Sequence, residues 1–227
     1  GNRLGYKVIL EKLSEKQVIE KLGPIFGECI HHLRSSLDNV ITTIAYKKSS
    51  PPPYPRQLGF PIYQKEADFK KHPLCKMTLK QLPQDVALLL EKIQPFQRNF
   101  NNETTPPDQD PLVLLNRLSI AEKHQIPLVA SIHSQEIIFN GCVKFRNDYE
   151  AAQNVPPNCQ IWVGPIEIGV TLLEYFTKHP IEIAEGSYNL TGNIFVDLDN
   201  NLLPIDNTLE FLHYYVNLVI NEFRKFL

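Results

Sequence analysis

A ridge of polar side chains interrupts the apolar pattern of one helical stretch near the start of the chain. In GECIHHLRSSLDNVITTIAY, residues 27–46, Arg34 stands one helical turn before Asp38 and about one turn after His31. Because an α-helix advances about 100° per residue, these three side chains share one ridge beside the apolar stripe. A guanidinium, a carboxylate and an imidazole in that position could hold a phosphate or transfer a proton.

The same ridge has a purely structural interpretation. Arg34 and Asp38 stand four residues apart, a spacing at which opposite charges stabilise an exposed helix by about 0.2–0.5 kcal/mol. If the ridge is buried, a hydrogen-bonded network of His31, Arg34 and Asp38 would instead fix how the helices pack. The sequence leaves both interpretations open.

Basic residues at the end of a later helix form a second candidate cluster. Lys123 and His124 follow the apolar stretch PLVLLNRLSIAE, which also carries Arg117. Cations at a helix C-terminus are favoured by the helix dipole and need no further function. If this helix packs beside the one that carries the ridge, however, Lys123 and His124 could lie opposite Asp38. They would then close a binding site with Arg34 and His31, to which Arg117 could also contribute.

Apolar periodicity predicts the helices that must position these residues. A helical stretch, SEKQVIEKL, residues 14–22, is expected to end at the break Gly23-Pro24. The helix that carries the ridge then runs from Pro24 to about Lys48, where the proline-rich connector 49–63 ends it. Its apolar stripe, spaced as one helical face, consists of Phe26, Ile30, Leu33, Leu37, Ile41 and Ile44. Three shorter helices are predicted over residues 64–72, 82–96 and 111–125. Asp110 is the expected N-cap of the last of them.

From residue 126 the pattern changes to short strands separated by turns. The turn dipeptide Asn140-Gly141 predicts one hairpin. The stretch DLDNN, residues 197–201, predicts another hairpin turn rather than a calcium loop, because Leu202 stands where such a loop requires glycine.

Helices followed by strands and a closing amphipathic helix indicate an α+β fold. Residues 1–125 are expected to form a mainly helical, bundle-like part that carries the HHLRSSLDN motif. Residues 126–227 are expected to form an antiparallel sheet with the C-terminal helix, packed as one unit with the first part.

Composition narrows the classes of function. The chain has 227 residues, 43% of them hydrophobic, and a formal net charge of −2, so no global field attracts nucleic acid or an anionic membrane. Its four cysteines form no C-x-x-C pair, and no apolar run approaches the roughly 20 residues of a membrane span. We therefore expect a cytoplasmic protein without a metal site, a cofactor or membrane contact.

The polar ridge resembles a known motif. GECIHHLRSSLDNVITTIAY is similar to the HNLRSALDH signature of a group of bacterial proteins, which also show an FPI segment, here Phe60-Pro61-Ile62. A further segment of that group, L-x-x-L-x-x-x-DKH, corresponds to LLNRLSIAEKH, with Glu122 in place of the aspartate. The RSALDH element is similar to the Arg-x4–6-His motif of HEPN domains, helical modules of prokaryotic toxins and defence proteins. The resemblance extends over residues 23–124.

The resemblance implies particular roles for the ridge. In active HEPN ribonucleases, the arginine and the histidine meet across a dimer interface and cleave RNA without a metal ion. Arg34 matches the arginine, but Asn39 occupies the histidine position and cannot act as a general acid or base near neutral pH. We therefore expect a HEPN-like, homodimeric, RNA-associated module of a defence or toxin–antitoxin system. Its ribonuclease site, formed by His31, Arg34, Asp38 and Asn39, would be weakened or absent.

Two other functions stay open, and so does the question of enzymatic activity. The first is a non-catalytic scaffold, in which His31, Arg34 and Asp38 form a structural network and the sheet binds a protein partner. The second is a small-molecule enzyme that uses His31, Asp38 and His124 as acids and bases.

Overall fold

A computed structural model describes residues 4–13, 16–97, 106–123, 128–155 and 158–227. Within these ranges the chain forms seven α-helices and six β-strands, which confirms the α+β class. The helices are α1 (Lys16–Lys48), α2 (Glu66–Lys71), α3 (Pro73–Lys80), α4 (Gln84–Lys92), α5 (Pro111–Lys123), α6 (Asp148–Ala152) and α7 (Ile205–Phe223). The strands are β1 (Leu4–Ile9), β2 (Ala130–Lys144), β3 (Asn158–Ile161), β4 (Thr171–Thr177), β5 (Ile183–Leu198) and β6 (Asn201–Pro204).

The chain divides into two compact units, and one of them contains all six strands. This sheet unit comprises Gly1–Leu22 and Val129–Pro204. Its strands form two antiparallel three-stranded sheets, in the orders β1-β4-β3 and β2-β5-β6. The longest ladder joins β2 to β5 and leaves most side chains of these two strands exposed or half-buried.

The second unit is helical and comprises Gly23–Leu128 and Ile205–Leu227. Five of the six residues in the predicted apolar stripe of α1 are buried in its core, and Leu33 is half-buried. Large residues from the other helices and from the connector complete this core, among them Phe60, Phe69, Leu90, Leu115 and Phe223. The predicted N-cap is confirmed, since the Asp110 carboxylate accepts a hydrogen bond from the Leu112 amide at 2.8 Å.

These units do not coincide with the sequence halves 1–125 and 126–227. Strand β1 lies in the first half, but it pairs with β4 of the sheet unit. Helix α7 lies in the second half, but it contacts α5 of the helical unit. Within the described ranges, no helix has the length and apolar character that crossing a bilayer requires.

The predicted break between two helical segments at Gly23-Pro24 is wrong. Helix α1 begins at Lys16 and continues through the proline for 33 residues. A proline inside a helix removes one backbone donor and costs roughly 3 kcal/mol, so other interactions must offset this loss. Buried side chains lie on both sides of the proline, at Ile19 and Phe26. Tertiary packing thus outweighs the local signal of Gly23-Pro24.

The two predicted hairpin turns have different outcomes. The turn after residue 198 is confirmed: Asp199 and Asn200 have φ values of 54° and 64° and join the antiparallel strands β5 and β6. Positive φ at both central residues is the requirement of the commonest two-residue hairpin turn.

The hairpin predicted at Asn140-Gly141 is wrong, because both residues lie inside β2. Gly141 pairs with Gly186 of β5. A Cβ atom on Gly141 would lie 2.3 Å from the Glu185 carbonyl oxygen and 2.7 Å from Cζ of Phe139. This glycine therefore marks a close approach of backbone and ring within a strand rather than a turn.

We expect the substitution Gly141→Ala to destabilise the sheet unit by about 1–3 kcal/mol, because the added methyl group overlaps the opposing strand. Urea denaturation followed by circular dichroism measures the change. Ser187→Ala, an exposed position on the opposing strand, is the matched control and should stay within about 0.5 kcal/mol of wild type. Equal stabilities of the two variants would contradict the close packing at Gly141.

Candidate functional site

The polar ridge of α1 binds the backbone of the connector 49–63. Arg34 Nη1 donates a hydrogen bond to Asp38 Oδ1 at 2.6 Å, and its Nη2 donates to the Phe60 carbonyl oxygen at 2.8 Å. The same Asp38 oxygen accepts from the Phe60 amide at 2.7 Å. Both backbone groups of Phe60 are thus satisfied by one ion pair, an arrangement that we term the Phe60 clamp.

Local structure explains why the clamp forms. Residues four apart on a helix are neighbours, so α1 holds the guanidinium and the carboxylate side by side. The Phe60 side chain is buried in the helical core and contacts the ring of Phe223 edge to face, at 6.1 Å between centroids. Gly59 lies against the carboxylate, since a Cβ on this residue would be 3.4 Å from Asp38 Oδ1. The burial of Phe60 and this close approach bring the connector backbone within hydrogen-bonding distance of the ion pair.

Further buried polar side chains bind the rest of the connector. Gln94 is fully buried, donates to the Pro61 carbonyl at 2.9 Å and accepts from the Tyr63 amide at 3.0 Å. Gln81 accepts from the Tyr54 amide at 2.7 Å, and the Thr78 hydroxyl donates to the Gln57 carbonyl at 2.9 Å. Because an unpaired buried backbone group costs about as much as a lost hydrogen bond, these side chains stabilise a segment that has one short 3₁₀ helix, Pro55–Gln57, and no α-helix or strand.

The clamp is only partly accessible to solvent. The Arg34 side chain is 14% exposed and that of Asp38 is 35% exposed. An ion pair at this depth is screened less than one at the surface, and its geometry is fixed by two additional hydrogen bonds to backbone. The pair is therefore better suited to holding a segment of chain than to exchanging partners.

The other two residues of the predicted ribonuclease site, His31 and Asn39, are exposed and take no part in the Phe60 clamp. His31 is exposed, and its Nε2 atom is 3.4 Å from the Ser35 hydroxyl. Its ring meets that of His32 edge to face, at 6.0 Å between centroids. Asn39 is also exposed. Among the described residues, the hydrogen bonds of the clamp thus join two of the four residues of the predicted ribonuclease site, Arg34 and Asp38, and include neither His31 nor Asn39.

The second predicted cluster falls largely outside the described part of the chain. Lys123 is the last residue of α5, but its side chain and the whole of His124 lie outside the described residues. Arg117 lies on the exposed face of the same helix. The proposed meeting of these residues with Arg34 stays a prediction.

Sequence analysis did not identify Gln81 or Gln94, although each has a recognisable signal. Both amides stand at the end of an apolar helical stretch, directly or almost directly before a proline: Gln81-Leu82-Pro83 and Gln94-Pro95. A proline there ends the helix and leaves nearby backbone groups without helical partners. A long amide side chain at that point can bind a neighbouring irregular segment.

Two ionisable groups near the connector stay protonated at neutral pH. Burial raises the pKa of Tyr63 to about 12, and the neighbouring Cys75 and Asp68 add to the effect. Burial also raises the pKa of Cys75 to about 11, with a contribution from Glu91. Neither group is poised as a general base or a nucleophile. Within the described ranges, no three His, Cys, Asp or Glu side chains are grouped to bind a metal ion.

Comparison of the chain with protein-family models, with curated proteins and with solved structures found no match.

We expect Arg34→Ala to lower the free energy of unfolding by about 2–3 kcal/mol, because the Phe60 carbonyl loses its donor and Asp38 loses its counter-ion. At this chain length the melting temperature should fall by roughly 4–12 °C. Thermal unfolding followed by circular dichroism provides the measurement. Lys70→Ala is the control: it removes an ion pair with Glu66 at the same i,i+4 spacing and a longer one with Glu91 at 3.6 Å. Because the Lys70 ammonium is exposed, this change should alter stability by less than about 0.5 kcal/mol. A shift below about 2 °C for Arg34→Ala would contradict a structural clamp.

The cysteines offer a second test, through their reactivity with iodoacetamide. Cys142 and Cys159 are exposed, whereas Cys75 is buried and its raised pKa leaves only about one thiol in a thousand ionised at about pH 8. Peptide mass spectrometry over time should therefore show rapid modification of Cys142 and Cys159, and modification of Cys75 only after denaturation. Equal rates for Cys75 and Cys142 in the native protein would show that the region around Gln94 and Tyr63 opens readily.

Proposed function

We propose that this chain is a non-catalytic interaction protein, in which the helical unit is a scaffold and the sheet unit presents a surface for a protein partner. The observation that supports this function best is that the hydrogen bonds of Arg34 are made to groups of its own chain. Its guanidinium, the group with the strongest potential for chemistry, is bound to a carboxylate and to a backbone carbonyl of its own chain.

This arrangement disfavours an anion-binding role. A guanidinium has five N–H donors, and a phosphate is bound best by two of them in a parallel fork. In the Phe60 clamp, donors from both terminal nitrogens of Arg34 are already used. An incoming phosphate would also meet the negative charge of Asp38 at once. Binding RNA through Arg34 would therefore require that the connector first leave α1.

The sheet unit supplies the kind of surface that protein partners bind. Four large apolar residues within eight positions, Ile161, Trp162, Val163 and Ile168, are exposed, and Val163 is 81% exposed. Ile161 is the last residue of β3 and the other three follow it; β3 lies at the edge of its sheet and is exposed along its length. A group of exposed apolar side chains next to an open strand edge is typical of protein interaction sites.

The tryptophan of this segment is fixed in place before any partner binds. Its indole Nε1 donates to the Pro165 carbonyl at 2.8 Å, and its backbone amide donates to the Leu172 carbonyl at 2.9 Å. Gly164 permits the ring to lie across the loop, since a Cβ there would be 2.4 Å from Cζ2 of Trp162. A rigid, partly exposed tryptophan loses little conformational entropy on binding and is a frequent anchor of interfaces.

The HEPN-like, RNA-associated function stays a prediction, and one experiment separates it from the function proposed here. Purified wild type and Arg34→Ala are incubated with total RNA, and cleavage and retention of RNA are measured. Under the proposed function, neither protein cleaves RNA and the two retain it equally weakly, since the net charge of −2 provides no general attraction.

Arg34→Lys is the matched control, because it keeps the positive charge but cannot form the hydrogen bonds to Asp38 and to the Phe60 carbonyl in the geometry of the guanidinium. All three proteins are tested below the melting temperature of the least stable one, so that unfolding does not imitate a loss of activity. RNA cleavage by the wild type that Arg34→Ala abolishes would refute the non-catalytic function.

A further inference from the structure

Helix α7 has exposed apolar side chains that the other described residues of the helical unit leave uncovered. One face of the helix is buried in the helical core and includes Leu212, Val216, Val219 and Phe223. A second group, which we term the outer stripe, consists of Phe211, Tyr214 and Leu218, which are 49%, 62% and 45% exposed. Single exposed apolar residues are ordinary, but three on one helical line form a contiguous apolar patch.

The outer stripe has the spacing of a helix–helix seam. Asn207, Phe211, Tyr214, Leu218 and Asn221 are separated by 4, 3, 4 and 3 residues, the alternation of a heptad pattern. At about 100° per residue these five positions fall within an arc of about 80°. Along the helix axis the seam is apolar in its middle and has an asparagine at each end, Asn207 and Asn221, which gives it a defined length.

A groove runs beside this seam, between α4 and α7. It has a volume of about 470 Å³. One wall consists of Leu89 and Lys92 of α4 and of Ile93, which directly follows this helix. The other wall includes Leu218, Val219 and Glu222 of α7. The groove lies near the C-terminal end of α7, whereas the bulky Phe211 lies near its N-terminal end.

We propose that the outer stripe binds the outer stripe of a second copy of this chain, with the two α7 helices antiparallel about a two-fold axis. An axis placed level with residue 216 brings Tyr214 against the partner's Leu218. It also brings Phe211 level with the partner's Asn221, so that the phenyl ring enters the partner's groove beside Leu218. Each copy contributes one protruding ring and one groove, as a closed two-fold interface requires.

Charge at the two ends of α7 favours this antiparallel orientation. Asp206 lies in the first turn, and Arg224 and Lys225 follow directly after the last residue of the helix. Antiparallel pairing places each Asp206 near the partner's Arg224 and Lys225, at both ends of the seam. Parallel pairing would instead bring carboxylate to carboxylate and cation to cation. The charges at the helix ends are thus complementary only in the antiparallel arrangement, whereas Glu210 and Glu222 have the same sign and do not distinguish the two orientations.

The first test is the oligomeric state of the full chain by sedimentation velocity, from low to high micromolar concentration. We expect a reversible dimer for the wild type, and at least a tenfold weaker dimer for Phe211→Asp and Leu218→Asp. Leu74→Asp, which changes an exposed leucine of α3 outside the seam, is the matched control and should leave the dimer intact. Because the substituted residues are exposed, melting temperatures of the variants at concentrations where all are monomeric should agree with wild type.

The second test exchanges the charges. Asp206→Lys alone should weaken the dimer, since it places like charges at both ends of the seam. The double variant Asp206→Lys with Arg224→Glu should regain at least half of the lost dimer affinity, because the antiparallel pairs form again with reversed sign. A structural role of either residue within one chain would give no such recovery of dimer affinity.

Three results would overturn the proposal. They are a wild type that stays monomeric at all concentrations, a dimer that Leu218→Asp leaves unchanged, and a double charge variant no better than Asp206→Lys alone. Each of these results is independent of RNA cleavage and of the binding surface on the sheet unit.

Discussion

The helical unit depends on satisfying the backbone of one irregular segment that packs against its core at residues 58–63. The connector 49–63 contains five prolines and one glycine and has no long helix or strand, so its amides and carbonyls have few partners within it. The partners come from side chains of the surrounding helical region: Arg34, Asp38, Thr78, Gln81 and Gln94. These side chains supply the hydrogen bonds that neighbouring strands would supply if the connector were part of a sheet.

This constraint explains why a charged pair lies on the shoulder of an otherwise apolar helix. A single backbone carbonyl and a single amide of Phe60 require one donor and one acceptor at fixed positions, and an Arg–Asp pair presents both. Lysine would provide a point charge without the forked geometry, and asparagine in place of Asp38 would leave the guanidinium without a counter-ion. The chemistry that makes an arginine and an aspartate suitable for a catalytic site makes them equally suitable for binding the backbone.

Part of this arrangement follows from the sequence, and part does not. The stripe from Phe26 to Ile44 and the pairing of Arg34 with Asp38 are local features, fixed by helical spacing within a few residues. The contact with Phe60 joins residues 22 and 26 positions apart, so it depends on how the connector folds back on α1. Asn140-Gly141 is a second feature that local sequence does not determine. This dipeptide suits either a turn or a close approach between strands, and the position of the opposing strand decides which of them forms.

Helices α1 and α7 both depart from the amphipathic pattern: α1 has polar side chains near the core, and α7 has apolar side chains exposed to solvent. In both cases the exceptional side chains need a partner surface. In α1, polar side chains lie where the helix turns toward the core, and the backbone of Phe60 satisfies them within the chain. In α7, the apolar outer stripe lies where the helix faces solvent, and the described residues leave Phe211, Tyr214 and Leu218 about half exposed. Buried polar groups need a hydrogen-bonding partner, and a contiguous apolar seam gains free energy when a second apolar surface covers it. The first need is met inside the subunit. For the second, we propose that the outer stripe of a second subunit covers the seam of α7.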